Sequence, residues 1–126
     1  MNGLKDAKPV IVICSRDTCH ATAFYRDTLG LAFVGEDRFG SEFDLAGTQL
    51  RVSLVADFEA HGHTILGFRV ADVAATVAGL AARGVAFLRI AGYPHDARGI
   101  LALPAGIGHV AWMKDPDGNV LSITDV

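Results

Sequence analysis

One structural pattern occurs twice along the chain, and any fold for it must accommodate both copies. In the first copy, residues 10–14 (VIVIC) are apolar and β-branched, as a buried strand requires. Asp17 is placed to cap a helix, and Ala21, Phe24, Tyr25 and Leu29 recur at helical spacing along it. Gly30 ends that helix, and residues 31–34 (LAFV) resume as strand. In the second copy, residues 65–70 (ILGFRV) are the strand, Asp72 is the cap, and Val73, Val77, Leu80 and Ala81 form the apolar stripe. Gly84 closes the helix, and residues 85–88 (VAFL) nearly repeat residues 31–34. Each copy then ends in a hairpin. Residues 43–52 turn near Gly47, and residues 114–123 turn at Gly118. The second copy is longer by a Gly- and Pro-bearing insertion between Gly92 and Gly108. The pattern predicts an α+β domain of two βαβββ units, about 9–55 and 64–125. Neither unit can bury both its helix and its sheet alone, so the two are expected to share one core in a curled mixed sheet.

Length and composition agree with a single domain. The chain has 126 residues, of which 51% are apolar and 20% charged, a core-forming rather than a disordered composition. Its formal charge of −3 gives no electrostatic footprint for nucleic acid or for an anionic membrane surface. No apolar run approaches the roughly 20 residues of a membrane span, and residues 1–9 lack the apolar stretch of a signal peptide. Two cysteines, Cys14 and Cys19, are too few for a disulfide framework and suit a reducing compartment, so a cytoplasmic location is expected.

Two words in the sequence carry a resemblance. Residues 24–31 (FYRDTLGL) and 115–119 (DPDGN), together with the paired units, are similar to the vicinal oxygen chelate superfamily of glyoxalases, extradiol dioxygenases, thiol transferases and bleomycin resistance proteins. The resemblance spans almost the whole chain and implies a concave cavity. The second word is turn chemistry in itself, since Pro presets φ while Asp, Gly and Asn favour turn geometry.

The resemblance also implies where a divalent metal would be bound in the family's enzymes: at the start of each unit's first strand and near the end of its last. Those positions hold Val10, Arg51, Ile65 and Ser122. Val and Ile offer no lone pair, Arg is a permanent cation and Ser is a poor neutral ligand. The expectation is therefore no metal and no other cofactor. The five histidines do not supply a substitute pattern. His61 and His63 flank Gly62 without carboxylates or thiols nearby, His109 lies on a strand, His20 on the first helix and His95 in a loop.

Strand alternation predicts what the cavity face offers instead. Val10, Val12 and Cys14 share it with Ile65, Gly67 and Arg69, and the last strands add Arg51, Ser53, Ser122 and Thr124. Two arginines among hydroxyls on an apolar wall suit a small organic ligand bearing a carboxylate or phosphate. Alternatively, Arg51 and Arg69 pair across the sheet with Glu42 or Asp44. Trp112 either stacks a planar ligand or belongs to the core, and Tyr93 lies in the insertion, which is long enough for a lid. Cys14 is a candidate nucleophile or a small buried hydrophobe.

The leading expectation is a ligand-binding protein without a metal, resembling bleomycin resistance proteins that sequester a drug. The alternatives are a metal-dependent lyase or dioxygenase, a metal-free enzyme, and a partner-binding module whose cavity is filled by its own side chains. A homodimer is expected, with the first strand and the helix bearing Phe24, Tyr25 and Leu29 at its interface.

Overall fold

The computed structural model describes residues 3–126. The chain forms two compact units, Met1–Phe58 and Glu59–Val126. Each contains a four-stranded mixed sheet with a helix on one face, so the strands form two sheets rather than one.

The first unit comprises β1 (Val10–Ser15), α1 (Thr18–Ala23), β2 (Ala32–Asp37), β3 (Gly40–Leu45) and β4 (Thr48–Leu54), with strand order β1-β4-β3-β2. Asp17 caps α1 by accepting from the backbone N–H groups of Cys19 and His20. The helix is shorter than its apolar spacing predicts, because Phe24–Thr28 winds as a wider π-type turn. Gly30, at φ 73°, then reverses the chain. Alternation is clear in the sheet. Ile13, Ser15, Ser41, Phe43, Leu50 and Val52 are buried on the face that meets the helix. Tyr25 packs its ring against Phe43 at 6.2 Å, and the Thr22 hydroxyl donates to Ser41 Oγ at 2.9 Å, a buried bond that ties helix to sheet.

The second unit comprises β5 (Thr64–Arg69), α2 (Val73–Ala82), β6 (Leu101–Ala102), β7 (His109–Lys114) and β8 (Val120–Thr124), in the order β5-β8-β7-β6. Asp72 caps α2 through the Ala75 N–H, and Val73, Val77 and Leu80 bury its stripe. Residues 85–88 do not repeat the first copy's strand as their sequence suggests. They make a single bridge, Phe87 to Met113, and one further bond from Leu88 N to Trp112 O. The edge beside β7 is completed by β6, from inside the insertion expected as a lid. Leu101 and Ile100 are buried there, which explains the substitution: the apolar pair in the insertion occupies the edge that residues 85–88 cover only in part.

The turn 115–119 is held by side-chain as well as backbone hydrogen bonds. Asp115 Oδ1 accepts from the N–H groups of Asp117 and Asn119, both at 2.9 Å, and its Oδ2 accepts from Asn119 Nδ2 at 2.8 Å. Asp115 N in turn donates to Asn119 O. This turn sets the register of β7 against β8, pairing Lys114 with Val120 and Trp112 with Ser122.

Candidate functional site

The face of each sheet turned away from its helix presents three rows of side chains. In the first unit the rows are Val10, Gln49 and Asp44; Val12, Arg51 and Glu42; and Cys14, Ser53 and Gly40. In the second unit they are Thr64, Val120 and Lys114; Gly67, Ser122 and Trp112; and Arg69, Thr124 and Val110. The central rows therefore place Arg51 and Ser122 at equivalent positions, as the repeat predicts. Cross-strand partners share a face, so pairing with Ser122 places Trp112 on this face and not in the helix-packed core.

Two expectations need correction. The shift in register between Thr64 and Leu66 leaves Ile65 without a cross-strand partner, so Thr64, not Ile65, stands opposite Val120. Arg51 pairs with neither Glu42 nor Asp44. Its Nη2 contacts both carboxylate oxygens of Asp37, at 2.8 and 3.0 Å, while Glu42 accepts from Gln49 and Asp44 accepts from Gly47 N. Asp37 is held below the usual carboxylate range first by the Phe39 N–H and then by the Arg51 guanidinium. Arg51 is thus already neutralised, whereas Arg69 forms no ion pair among the described residues.

The second unit contains a cavity of about 270 Å³ at the Thr64–Val120–Lys114 row. Trp112, Leu88, Ile90 and Val120 form its apolar walls, and Gly62, His63, Thr64 and Lys114 complete it. Among the described residues no carboxylate lines this cavity, so Lys114 gives it a positive field. His63 stacks on His61 with ring centroids 5.7 Å apart. Of the residues expected to bind ligand, Trp112 lines this cavity. Ser122 is its buried neighbour on the ladder, Arg69 is further along the face, and Tyr93 is exposed in the insertion without lining it. Lys114 is legible from Trp112 by alternation. Leu88 and Ile90 are not, because residues 85–88 have the composition of a regular strand and lie outside one.

Two other histidines have acidic partners. His20 Nδ1 contacts Asp17 Oδ2 at 3.1 Å. His109 Nδ1 contacts Asp125 Oδ2 at 2.9 Å, beside a second cavity of about 210 Å³ at the start of α2. Hydrogen bonds from the His109 side chain and backbone hold the Asp125 carboxyl below its ordinary value. Cys14 is half-buried on the first unit's open face beside Ser53.

Among the described residues no three His, Cys, Asp or Glu side chains gather as metal ligands. The positions that the resemblance assigns to a metal (Val10, Arg51, Ile65, with Thr64 opposite Val120 in its place, and Ser122) carry no carboxylate, thiol or imidazole.

Two four-stranded mixed sheets of the same strand order, each from a strand-helix-strand unit ending in a hairpin, define a duplicated βαβββ protein. The chain belongs to the Glyoxalase/Bleomycin resistance protein/Dioxygenase superfamily, whose family model matches residues 9–123. No curated protein matches the sequence. Among solved structures, the fold is similar to a bleomycin resistance determinant encoded on the transposon Tn5, at 20% identity and a TM-score of 0.70, covering 93% of this chain and 95% of that one. It is also similar to lactoylglutathione lyase from Agrobacterium tumefaciens, at 18% identity and a TM-score of 0.68, covering 94% and 92%. A genomically encoded fosfomycin resistance protein, FosX, from Listeria monocytogenes matches at 16% identity and a TM-score of 0.69, covering 98% and 93%. These likenesses establish the fold, and the fold hosts different activities.

Proposed function

We propose that this chain is a small-molecule-binding protein of the superfamily that works without the family's metal, sequestering an organic anion with a planar, apolar body. The observation that carries this reading is the lining of the second unit's cavity: Trp112, Leu88, Ile90 and Val120 supply apolar contact, and Lys114 supplies a positive charge. The donor-poor residues at positions 10, 51, 65 and 122 support the absence of metal chemistry. Titrating the intrinsic fluorescence of Trp112, the sole tryptophan, with anilinonaphthalene sulfonate tests the reading. Lys114→Ala should weaken binding roughly ten- to a hundredfold, the loss of one charge-assisted contact worth about 1.5–3 kcal/mol. Exhaustive chelation should leave the melting temperature unchanged. A stoichiometric metal by elemental analysis would favour a lyase or dioxygenase instead.

We place the protein in the reducing cytoplasm and propose a two-fold homodimer. Val10 and Val12 on β1 and Val34 on β2 are exposed apolar side chains that support an interface. Tyr25 contributes nothing to it, being 0% exposed in the first unit's core. Light scattering at micromolar concentration that returned the mass of one 13.3 kDa chain would refute the dimer.

A further inference from the structure

His95 lies in the insertion, outside every strand and helix, yet both of its ring nitrogens are engaged by backbone. The Ile90 N–H donates to Nε2 at 3.0 Å, and Nδ1 lies 2.8 Å from Gly99 O. A carbonyl can only accept, so Nδ1 must carry the hydrogen, and Nε2 must be bare to accept from Ile90. Only one of the three protonation states of imidazole satisfies both bonds: the neutral ring with its proton on Nδ1. The edge of the same ring meets Trp112, with centroids 6.0 Å apart at 69°. His95 therefore touches one wall of the cavity, Trp112, and holds another, Ile90.

We infer that His95 is a positioning residue for this cavity, a proton-sensitive clasp that fixes Ile90 and Trp112 only while its imidazole is neutral. Protonation places a hydrogen on Nε2 facing the Ile90 N–H, turning an attraction between donor and acceptor into a confrontation of two donors. The clasp then releases. The charged groups beside the ring on this segment have partners of their own. Asp96 is engaged by Arg98 and by the N–H groups of Arg98 and Ile100, and Arg89 donates to Ala97 O at 2.7 Å. Tyr93 stands exposed on the same loop, and Lys114 and His63 are the titratable groups on the cavity side. The return of the loop is tight at Gly99. Its φ of 92° suits glycine, and a Cβ there would come within 2.9 Å of Phe87 Cβ.

The regulatory part of the inference rests on the cavity being the binding site, but the clasp itself is measured without ligand. Trp112 emission in the wild-type protein should change on acidification, as Nε2 gains its hydrogen and the bond from Ile90 is lost. His95→Gln keeps an acceptor for Ile90 but cannot titrate, so its emission should stay flat, whereas His63→Gln should retain the wild-type transition. His95→Ala should resemble the acid form at every pH. Nitrogen NMR of the wild type near pH 8 should show the Nδ1–H tautomer, a readout that needs no variant. The Nε2–H tautomer, or an emission transition that survives in His95→Gln, would overturn the clasp. Affinity for anilinonaphthalene sulfonate should fall by up to about tenfold on acidification, the loss of roughly one hydrogen bond. Failure of the probe to bind near pH 8 would count against the binding-site reading and leave the tautomer and emission results to decide the clasp.

Discussion

Replacing Asp115 by Ala tests whether a side chain or merely the backbone preferences of DPDGN hold the β7–β8 hairpin in register. The carboxylate accepts three bonds, from Asp117 N, Asn119 N and Asn119 Nδ2, and both Asp115 and Asn119 are buried. Removing it strands donors that bulk water reaches poorly. Each unsatisfied buried donor costs about 1–3 kcal/mol, and partial relaxation keeps the sum below three full penalties, so a loss of about 3–5 kcal/mol is expected. That is a large fraction of the roughly 5–15 kcal/mol that stabilises a domain. Asp115→Asn keeps one acceptor oxygen for the two backbone N–H groups but loses the acceptor that faces Asn119 Nδ2, so it should cost about 1–3 kcal/mol, less than Asp115→Ala. Urea denaturation followed by circular dichroism measures both, provided the slope m is the same in all three proteins. A loss below about 1 kcal/mol for Asp115→Ala would refute the argument and leave Pro116 and Gly118 as the source of the turn. Because this hairpin pairs Trp112 with Ser122, the same variant should also alter the emission of Trp112 before global unfolding.

Acid should destabilise the protein through carboxylates already held below their ordinary values, Asp27, Asp37, Asp96 and Asp125. Each binds its proton less readily folded than unfolded, so its contribution is complete above about pH 4 and is lost as pH falls through the lowered folded value. Asp125→Asn should flatten that acid limb in thermal unfolding, and an unchanged limb would discount the His109 contact. Arg51→Ala should let the Asp37 carboxyl titrate higher, read by NMR, because a hydrogen bond and a positive charge are removed while the Phe39 N–H remains. Asp72→Ala should cost about 1 kcal/mol by uncapping α2, again measured in urea.

Features that depend on a few consecutive residues are legible in the sequence alone. The caps Asp17 and Asp72, the reversals at Gly30 and Gly84 and the hairpin turns follow from local backbone preference. The buried faces Leu50 and Val52, and Leu121 and Ile123, follow from the two-residue period of a strand. The equivalence of Arg51 and Ser122 follows from repetition alone. Tertiary structure decided what depends on pairing between distant segments. Residues 85–88 have strand composition, but the long-range competition for the edge of β7 gave most of that place to Leu101 and Ala102. One extra residue at Ile65 shifted β5 and brought Thr64 to the cavity. Arg51 found Asp37 on the next-but-one strand rather than the carboxylates its own hairpin offered. The fixed tautomer of His95 could not be read from the sequence, since it is imposed by the backbone of Ile90 and Gly99, and only the folded loop brings those two groups to opposite sides of one ring.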